Sequence, residues 1–322
     1  MARFRKEQEY SRPNPAHRTK KIILALVFGV LAIDAVIAGW ILGRSECSPA
    51  ETFSIVARGG QEEFAPKISL LATEAGLDLW NTPEGSIWTV HGDSFLPFLL
   101  SEQRYDIYEP VGHEVRQGDI VLDCGANIGV FTRKALSRGA ALVVAIEPAP
   151  QTLNALRRNF DAEIRAGRVI VYPKGVWDHD AEMELTVNED NAGANSVVVE
   201  WKGAAPKVRV PLTTIDKIVA ELKLPHVDFI KMDIEGAEKA AITGGRDTIR
   251  RFRPRMSLSV EHLPDDFTAI PALVKSIEPS YKYRGCDCEL SGWTVHPSGI
   301  ASHLPLFVWG RVKPSVLAFG PV

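Results

Sequence analysis

From Gly118 onward, short apolar runs recur at regular intervals. They are Asp119–Asp123 (DIVLD), Leu142–Glu147 (LVVAIE), Arg168–Tyr172, Val227–Met232 (VDFIKM) and Met256–Glu261 (MSLSVE). Near-continuous apolar strands of this kind are covered on both faces, as in a parallel sheet. Helical stretches stand between them at Val130–Ser137, Gln151–Phe160 and Thr213–Leu222, the last with Thr213 or Thr214 as N-cap ahead of Asp216. The alternation predicts an α/β fold with a doubly wound, mostly parallel sheet. It breaks between Asp178 and Pro211 into two or three short β segments around a polar loop, and Leu304–Val312 reads as a final strand. Ahead of it, Pro66–Leu79 suggests a short amphipathic helix and Gly85–Val90 a strand. Phe95–Leu100 begins a helix running toward Tyr108.

One apolar run is of another kind. Ile22–Leu42 (IILALVFGVLAIDAVIAGWIL) is long enough to cross a bilayer as a helix. Its one charge, Asp34, costs about 2.5–3.5 kcal/mol near the centre, which the surrounding leucine, isoleucine, valine and phenylalanine residues outweigh. The apolar core exceeds that of a usual signal peptide, and no small-x-small cleavage site follows Trp40. The expected organisation is a basic tail over 1–21, a single-pass anchor over 22–42, a linker and short structured lead-in over 43–92, and a catalytic domain over 93–322.

Composition changes little in this picture. The chain has 322 residues, 45% of them hydrophobic and 24% charged, enough for one sizeable domain with extra segments. A formal charge of −3 gives no general attraction to nucleic acid. The basic residues crowd instead at Arg3, Arg5, Lys6, Arg12, Arg18, Lys20 and Lys21, as a membrane flank. Four cysteines form no disulfide framework, and Cys286-Asp287-Cys288 fits no standard zinc spacing.

Candidate chemistry gathers at the strand ends. Asp123-Cys124-Gly125-Ala126-Asn127-Ile128-Gly129 stands where the first strand turns into a helix, and its glycines permit a sharp turn and close approach of a ligand. Asn127 occupies the place of the second glycine of the dinucleotide fingerprint, which is therefore absent. A carboxylate at Asp123 repels a diphosphate but attracts a sulfonium or ammonium group. Glu147 ends the second strand, where an acid accepts hydrogen bonds from both ribose hydroxyls. The pair suits an adenosine ligand carrying positive charge. The plainer readings are a helix cap for Asp123 and a surface lysine partner for Glu147.

Two further groups face the same crevice. Lys231-Met232-Asp233-Ile234-Glu235-Gly236-Ala237-Glu238 leaves the fourth strand, beside the first. Asp233 reads as a base or orienting carboxylate for an acceptor hydroxyl. Glu235 reads equally as a catalytic group or as a favourable charge at a helix N-terminus. Glu261-His262 ends the fifth strand, where His262 could act as general base or bond to Asp265 or Asp266. Asp233, Glu235, Glu261 and His262 could also hold a divalent cation, although their spacing does not demand one.

The segments VLDCGANIGVFT, IEPAPQTLNALRRNF and DFIKMDIEGAE, in that order, resemble the FkbM family of methyltransferases over roughly Tyr108 to Glu261. The resemblance implies a class I methyltransferase (Rossmann-like) fold, with S-adenosylmethionine as cosubstrate. It places Asp123, Gly125, Ala126, Asn127, Gly129, Glu147 and Pro148 around the cosubstrate, and Val176, Trp177 and Asp178 near the adenine. Asn195 and Ser196, in the polar loop Asn188–Ser196, fall on the acceptor side. It further implies in-line transfer of a methyl group to a hydroxyl of a sugar, glycolipid or other secondary metabolite, with Asp233 or His262 taking the proton and Glu235 and Glu261 beside them. An anchored enzyme suits a lipid-linked acceptor. The basic flank puts the domain beyond the membrane, whereas a cytosolic cosubstrate puts it on the near side. The other function classes are an NAD-type oxidoreductase, which the missing fingerprint disfavours, and a membrane-anchored scaffold with a degenerate methyltransferase fold.

Overall fold

A computed structural model of the protein describes residues 67–188, 195–198, 206–290 and 312–321, without the side chains of 285–290 and 312–314. The anchor expected over Ile22–Leu42 lies outside these residues. Among the described residues no helix is long and apolar enough to cross a membrane.

The described chain opens with an antiparallel sheet of β1 (Ser69–Glu74), β2 (Leu77–Thr82) and β3 (Gly85–Val90), followed by α1 (Leu96–Arg104). The helix expected over Pro66–Leu79 is corrected to two strands. Ala75 and Gly76, with φ of 51° and 74°, form the two-residue hairpin loop between them, a conformation that interrupts a helix. This sheet is not a free-standing lead-in. Leu77 and Ile87 pack with Leu96, Leu100, Ile128 and Ala155. Asn159 also clasps the backbone of Trp88, its side-chain oxygen accepting the Trp88 N–H at 2.7 Å and its amide donating back to the carbonyl at 2.9 Å. From residue 67 on, the segment set apart as linker and lead-in is packed against the catalytic domain.

The main sheet is built in the order of the sequence reading. After α1 come β4 (Ile120–Cys124), α2 (Val130–Ser137), β5 (Leu142–Ile146), α3 (Pro150–Asn159), α4 (Asp161–Arg165) and β6 (Val169–Tyr172). A small sheet of β7 (Gly175–Val176), β8 (Ala181–Thr186) and β9 (Lys207–Thr213) follows, then α5 (Ile215–Glu221), capped by the Thr214 hydroxyl on the Lys217 N–H. β10 (Phe229–Met232), α6 (Glu238–Thr243), α7 (Arg246–Phe252), β11 (Arg255–Ser259), α8 (Asp266–Ile277), β12 (Tyr281–Leu290) and β13 (Val312–Pro321) complete the described chain. The strand order is β12-β13-β11-β10-β4-β5-β6, with β13 antiparallel to both neighbours and the five central and outer strands from β11 to β6 parallel. The strand expected over Leu304–Val312 lies outside the described residues except at Val312, where β13 begins. β12 carries no apolar run that announced it.

The core runs through the sheet's middle. Val121, Leu122, Val143, Val144, Ala145, Phe229 and Ile230 are fully buried, and each large apolar side chain so placed contributes about 1.5–3 kcal/mol. The order brings β4 and β10 side by side, with Asp123 opposite Lys231.

Two glycines set the geometry of the β4–α2 turn, for a reason other than ligand approach. A Cβ on Gly125 (φ 76°) would lie 1.9 Å from the Asp233 carbonyl oxygen. One on Gly129 (φ 91°) would lie 2.2 Å from the Phe160 ring and 2.8 Å from Leu156. Both positions are demanded by the protein's own packing as well as by the left-handed backbone. Gly129→Ala is therefore expected to destabilise the apo protein by about 2–4 kcal/mol, read as a lower urea midpoint at unchanged slope. A glycine needed only for ligand approach would leave that midpoint in place.

Candidate active site

The C-terminal ends of β4, β5, β10 and β11 open into one cavity. Its lining includes Gly125, Ala126, Asn127, Glu147, Pro148 and Val176 on one side, and Asp233, Glu235, Glu261 and His262 on the other, with Asn195 also in the wall. Most residues singled out in the sequence thus meet in one place. Asp123, Gly129, Trp177 and Ser196 do not line it. Asp123 is wholly buried, its Oδ2 accepting the Thr132 hydroxyl at 2.6 Å and its Oδ1 3.7 Å from the Lys231 ammonium. The Asp123 carboxylate, expected to face a cationic ligand, lies beneath the turn between Thr132 and Lys231 and does not reach the cavity wall. Trp177 packs instead against Ala149, Leu185, Val210 and Leu212, and its N–H donates to the Thr213 carbonyl at 2.7 Å. Asp178 is exposed beside His179.

Glu147 is held by the backbone. Its Oε2 accepts the Asn127 N–H at 2.9 Å and its Oε1 the Ala149 N–H at 2.8 Å, so no lysine is needed to fix it. Burial pushes its carboxyl up to about 7, against the opposing pull of those two N–H groups. Each oxygen retains a lone pair for a further donor. The Asn127 side-chain oxygen is buried without a hydrogen-bond partner among the described residues. Pro148, Val176, Leu185 and Leu212 supply apolar wall beside this acid. A buried carboxylate, an unused amide oxygen and an apolar slot fit the ribose and base of an adenosine ligand.

The opposite wall is a network of charges. Lys231, buried on β10, donates to the Gly125 carbonyl at 2.9 Å and lies 3.9 Å from Asp233 Oδ2 and 5.1 Å from the centre of the Tyr108 ring. Burial opposes its charge, but Asp123 and Asp233 hold its pKa above the ordinary value. Asp233 Oδ2 accepts the Tyr108 hydroxyl at 2.7 Å. Burial disfavours its anion, yet Lys231, His262 and Tyr108 together keep it below the usual carboxylate range.

His262 sits among three acids. Its Nδ1 is 3.0 Å from Glu238 Oε1, and its Nε2 is 3.5 Å from Asp233 Oδ1 and 3.7 Å from Glu235 Oε2. Burial lowers its pKa, but the Glu238 hydrogen bond and the three negative charges outweigh that and push it up to about 10. The three acids thus favour the imidazolium form of His262. The expected bond to Asp265 or Asp266 is corrected to one with Glu238. Those two carboxylates pair with Lys239.

Glu235 is placed by strained backbone. Its φ is 55°, a left-handed conformation that costs a non-glycine residue about 1–3 kcal/mol. The Ser196 hydroxyl donates to the Glu235 carbonyl at 2.7 Å, and Glu238, wholly buried, accepts the Ile234 and Gly236 N–H groups at 2.9 and 3.1 Å. Ser196 thus acts on the turn, not on the cavity. Burial, then repulsion from Asp233, pushes the Glu235 carboxyl up to about 7. The tightest convergence of metal-ligand types is Asp233, Glu238 and His262, with ligand atoms within 4.8 Å of one another. Within the protein Glu238 accepts two backbone N–H groups and contacts His262, while Asp233 accepts the Tyr108 hydroxyl.

Sequence reasoning missed three contributors. Tyr108 is buried and reaches Asp233 from outside the strand ends, where no local pattern marks it. Phe95 and Phe98 bring an edge-to-face aromatic pair, centroids 5.5 Å apart, to the cavity wall. The apolar stretch Phe95–Leu100 was their visible signal.

The chain is 27% identical over 163 residues to 31-O-demethyl-FK506 methyltransferase FkbM of Streptomyces tacrolimicus, covering 42% of this chain and 63% of that one. It is 29% identical over 147 residues to 2-O-methyltransferase NoeI of Sinorhizobium fredii, covering 42% and 60%. The chain thus spans about three fifths of the length of these curated relatives. A crystal structure of methyltransferase FkbM from Methylobacillus flagellatus is 24% identical, with a TM-score of 0.41, and the match covers 63% of this chain and 43% of that one. The model of the methyltransferase FkbM domain matches residues 123–284, half of the chain, from the acid that supports the glycine turn to β12. The protein therefore belongs to the FkbM methyltransferase family.

Proposed function

We propose that the protein is an S-adenosylmethionine-dependent O-methyltransferase that acts on a hydroxyl of a sugar, glycolipid or other secondary metabolite. One observation carries the reading: Glu147, beside an apolar slot, and Glu235, beside Asp233 and His262, line a single cavity around the glycine turn. The names of the two curated relatives specify O-methylation, which supports a hydroxyl acceptor.

When bound, the cosubstrate supplies an electrophilic methyl on a sulfonium. Glu147 accepts the ribose hydroxyls, while Pro148, Val176, Leu185 and Leu212 exclude water from the base. On the acceptor side, Glu235 takes the hydroxyl proton, since a base near the working pH transfers protons best. Asp233 is already engaged by Tyr108 and His262 and orients the acceptor through hydrogen bonding. The His262 imidazolium screens the two carboxylates from each other, so Glu235 can stay anionic during part of the cycle. The anchor over Ile22–Leu42 is consistent with a lipid-linked acceptor. Equal activity on soluble and lipid-linked forms of one acceptor would remove that refinement and leave the O-methyltransferase reading intact.

Calorimetric titration of S-adenosylmethionine into the full chain tests the cosubstrate site. Micromolar binding is expected, lost in Glu147→Ala. Because protonated Glu147 loses acceptor capacity, affinity should fall as pH drops below about 7 and be nearly flat with pH in Glu147→Gln. No binding by the folded protein would end the proposal.

With methyl transfer as readout, Glu235→Gln should lower kcat by about 10²–10⁴-fold and remove an acidic limb near pH 7, with cosubstrate affinity unchanged. An unaltered limb would assign the proton to another group.

His262 gives a separate pH signature in stability. Its folded pKa, about 10, exceeds its ordinary value of 6.5, so its contribution is complete below about pH 6.5 and is lost as pH rises through 10. The difference in unfolding free energy between wild type and His262→Asn should shrink over that interval. A difference independent of pH would show that His262 is neutral.

A further inference from the structure

The proposed reaction makes no use of the other end of the sheet. There the starts of β4, β10, β11 and β12 and the end of β13 surround an open groove lined by Arg116, Arg253, Arg255, Lys282 and Arg284, with Asp119 and Asp228 as the acids in its lining. Five cations face two carboxylates in the lining and Glu278 beside Arg253, which leaves a surplus of two positive charges. His113, also in the lining, adds none, because burial lowers its pKa to about 4. Some of these charges are spent internally. Arg255 pairs with Asp119 at 2.6 Å, Arg253 lies 3.2 Å from Glu278, and the Arg284 guanidinium donates to the Val111 carbonyl. Arg116 and Lys282 are exposed, and among the described residues their side chains form no hydrogen bond or ion pair.

Apolar exposure coincides with this charge. Among the described residues the exposed large hydrophobics are Leu70, Leu71, Val111 and Tyr283, and two of the four lie on this groove, Val111 at 87% and Tyr283 at 42% exposure. Lys275 lies over the Tyr283 ring, its ammonium 5.2 Å from the centroid, and adds another cation at the same place. Free basic groups ringing exposed apolar side chains complement a surface that is anionic outside and apolar just beneath.

We propose that this end of the sheet is a docking surface for an anionic lipid bilayer. A nucleic acid matches the cations but not Val111 and Tyr283, and a lone phosphate needs neither. The sequence is consistent with the same partner, since a basic tail precedes the apolar run Ile22–Leu42. The orientation has a consequence for the acceptor. The cavity opens at the opposite ends of the parallel strands, so docking turns its mouth away from the bilayer. A hydroxyl within the headgroup layer is then out of reach, and a lipid-linked acceptor must present a sugar well beyond it.

Hydrogen exchange of the full chain, mixed with vesicles, reads this directly. Vesicles containing phosphatidylglycerol should protect the segments around Val111–Arg116 and Tyr281–Arg284 at low salt, while phosphatidylcholine vesicles should not. Protection should vanish at high salt and fall about 25-fold in Arg116→Gln/Lys282→Gln, at about fivefold for each charge removed. That variant should still bind S-adenosylmethionine, which certifies its fold and separates this test from that of the catalytic reading. Equal exchange with both kinds of vesicle would overturn the proposal. So would equal protection by inorganic phosphate alone, which would make the groove an anion site, or stronger protection by a nucleic acid duplex.

Discussion

The buried ammonium of Lys231 is the interaction on which the site depends. It stands between Asp123 on β4 and Asp233 just past β10, and it also donates to the Gly125 carbonyl. Two carboxylates and a glycine turn are thereby held to one strand pair. Without that cation, Asp123 would be left wholly buried with only the Thr132 hydroxyl as partner, a loss of about 3–5 kcal/mol for a broken buried pair. The turn has little slack to absorb the change, because Gly125 already abuts the Asp233 carbonyl.

Around that centre the charges alternate in space. Asp123, Lys231, Asp233, His262 and Glu238 follow one another at separations from 3.0 to 3.9 Å. The order separates functions among groups of the same chemical type. Asp233 is stabilised as an anion by two cations and a phenol. Glu238 is fixed by backbone N–H groups. For Glu235, burial and repulsion from Asp233 outweigh the pull of His262 and Lys231 and lift it to about 7, in the range where a carboxylate can accept and release a proton. Three acids surround His262 and favour its cationic form.

The two ends of the sheet divide the molecule's electrostatics. Acids concentrate where the parallel strands end, and unspent arginine and lysine side chains where they begin. A ligand with positive charge is drawn to one end and a negatively charged surface to the other, although the formal charge of the chain is only −3.

The sequence by itself determined the main sheet, because strands covered on both faces are written as apolar runs whatever surrounds them. β4, β5, β6, β10 and β11, with α2, α3 and α5, fall within a few residues of where the pattern placed them. It also determined that Glu147, Asp233, Glu235 and His262 share a crevice, since strand ends in a doubly wound sheet converge. Tertiary structure alone decided the rest. The β1–β2 hairpin replaced an expected helix because two left-handed residues, not periodicity, govern the chain at Ala75-Gly76. Tyr108 joined Asp233 from 125 positions away. The depth of Asp123, the protonation of His262 and the lifted pKa of Glu235 depend on burial and on charges brought from separate strands. Those quantities have no local signature, because Coulombic and desolvation energies are set by distances that only the folded chain fixes.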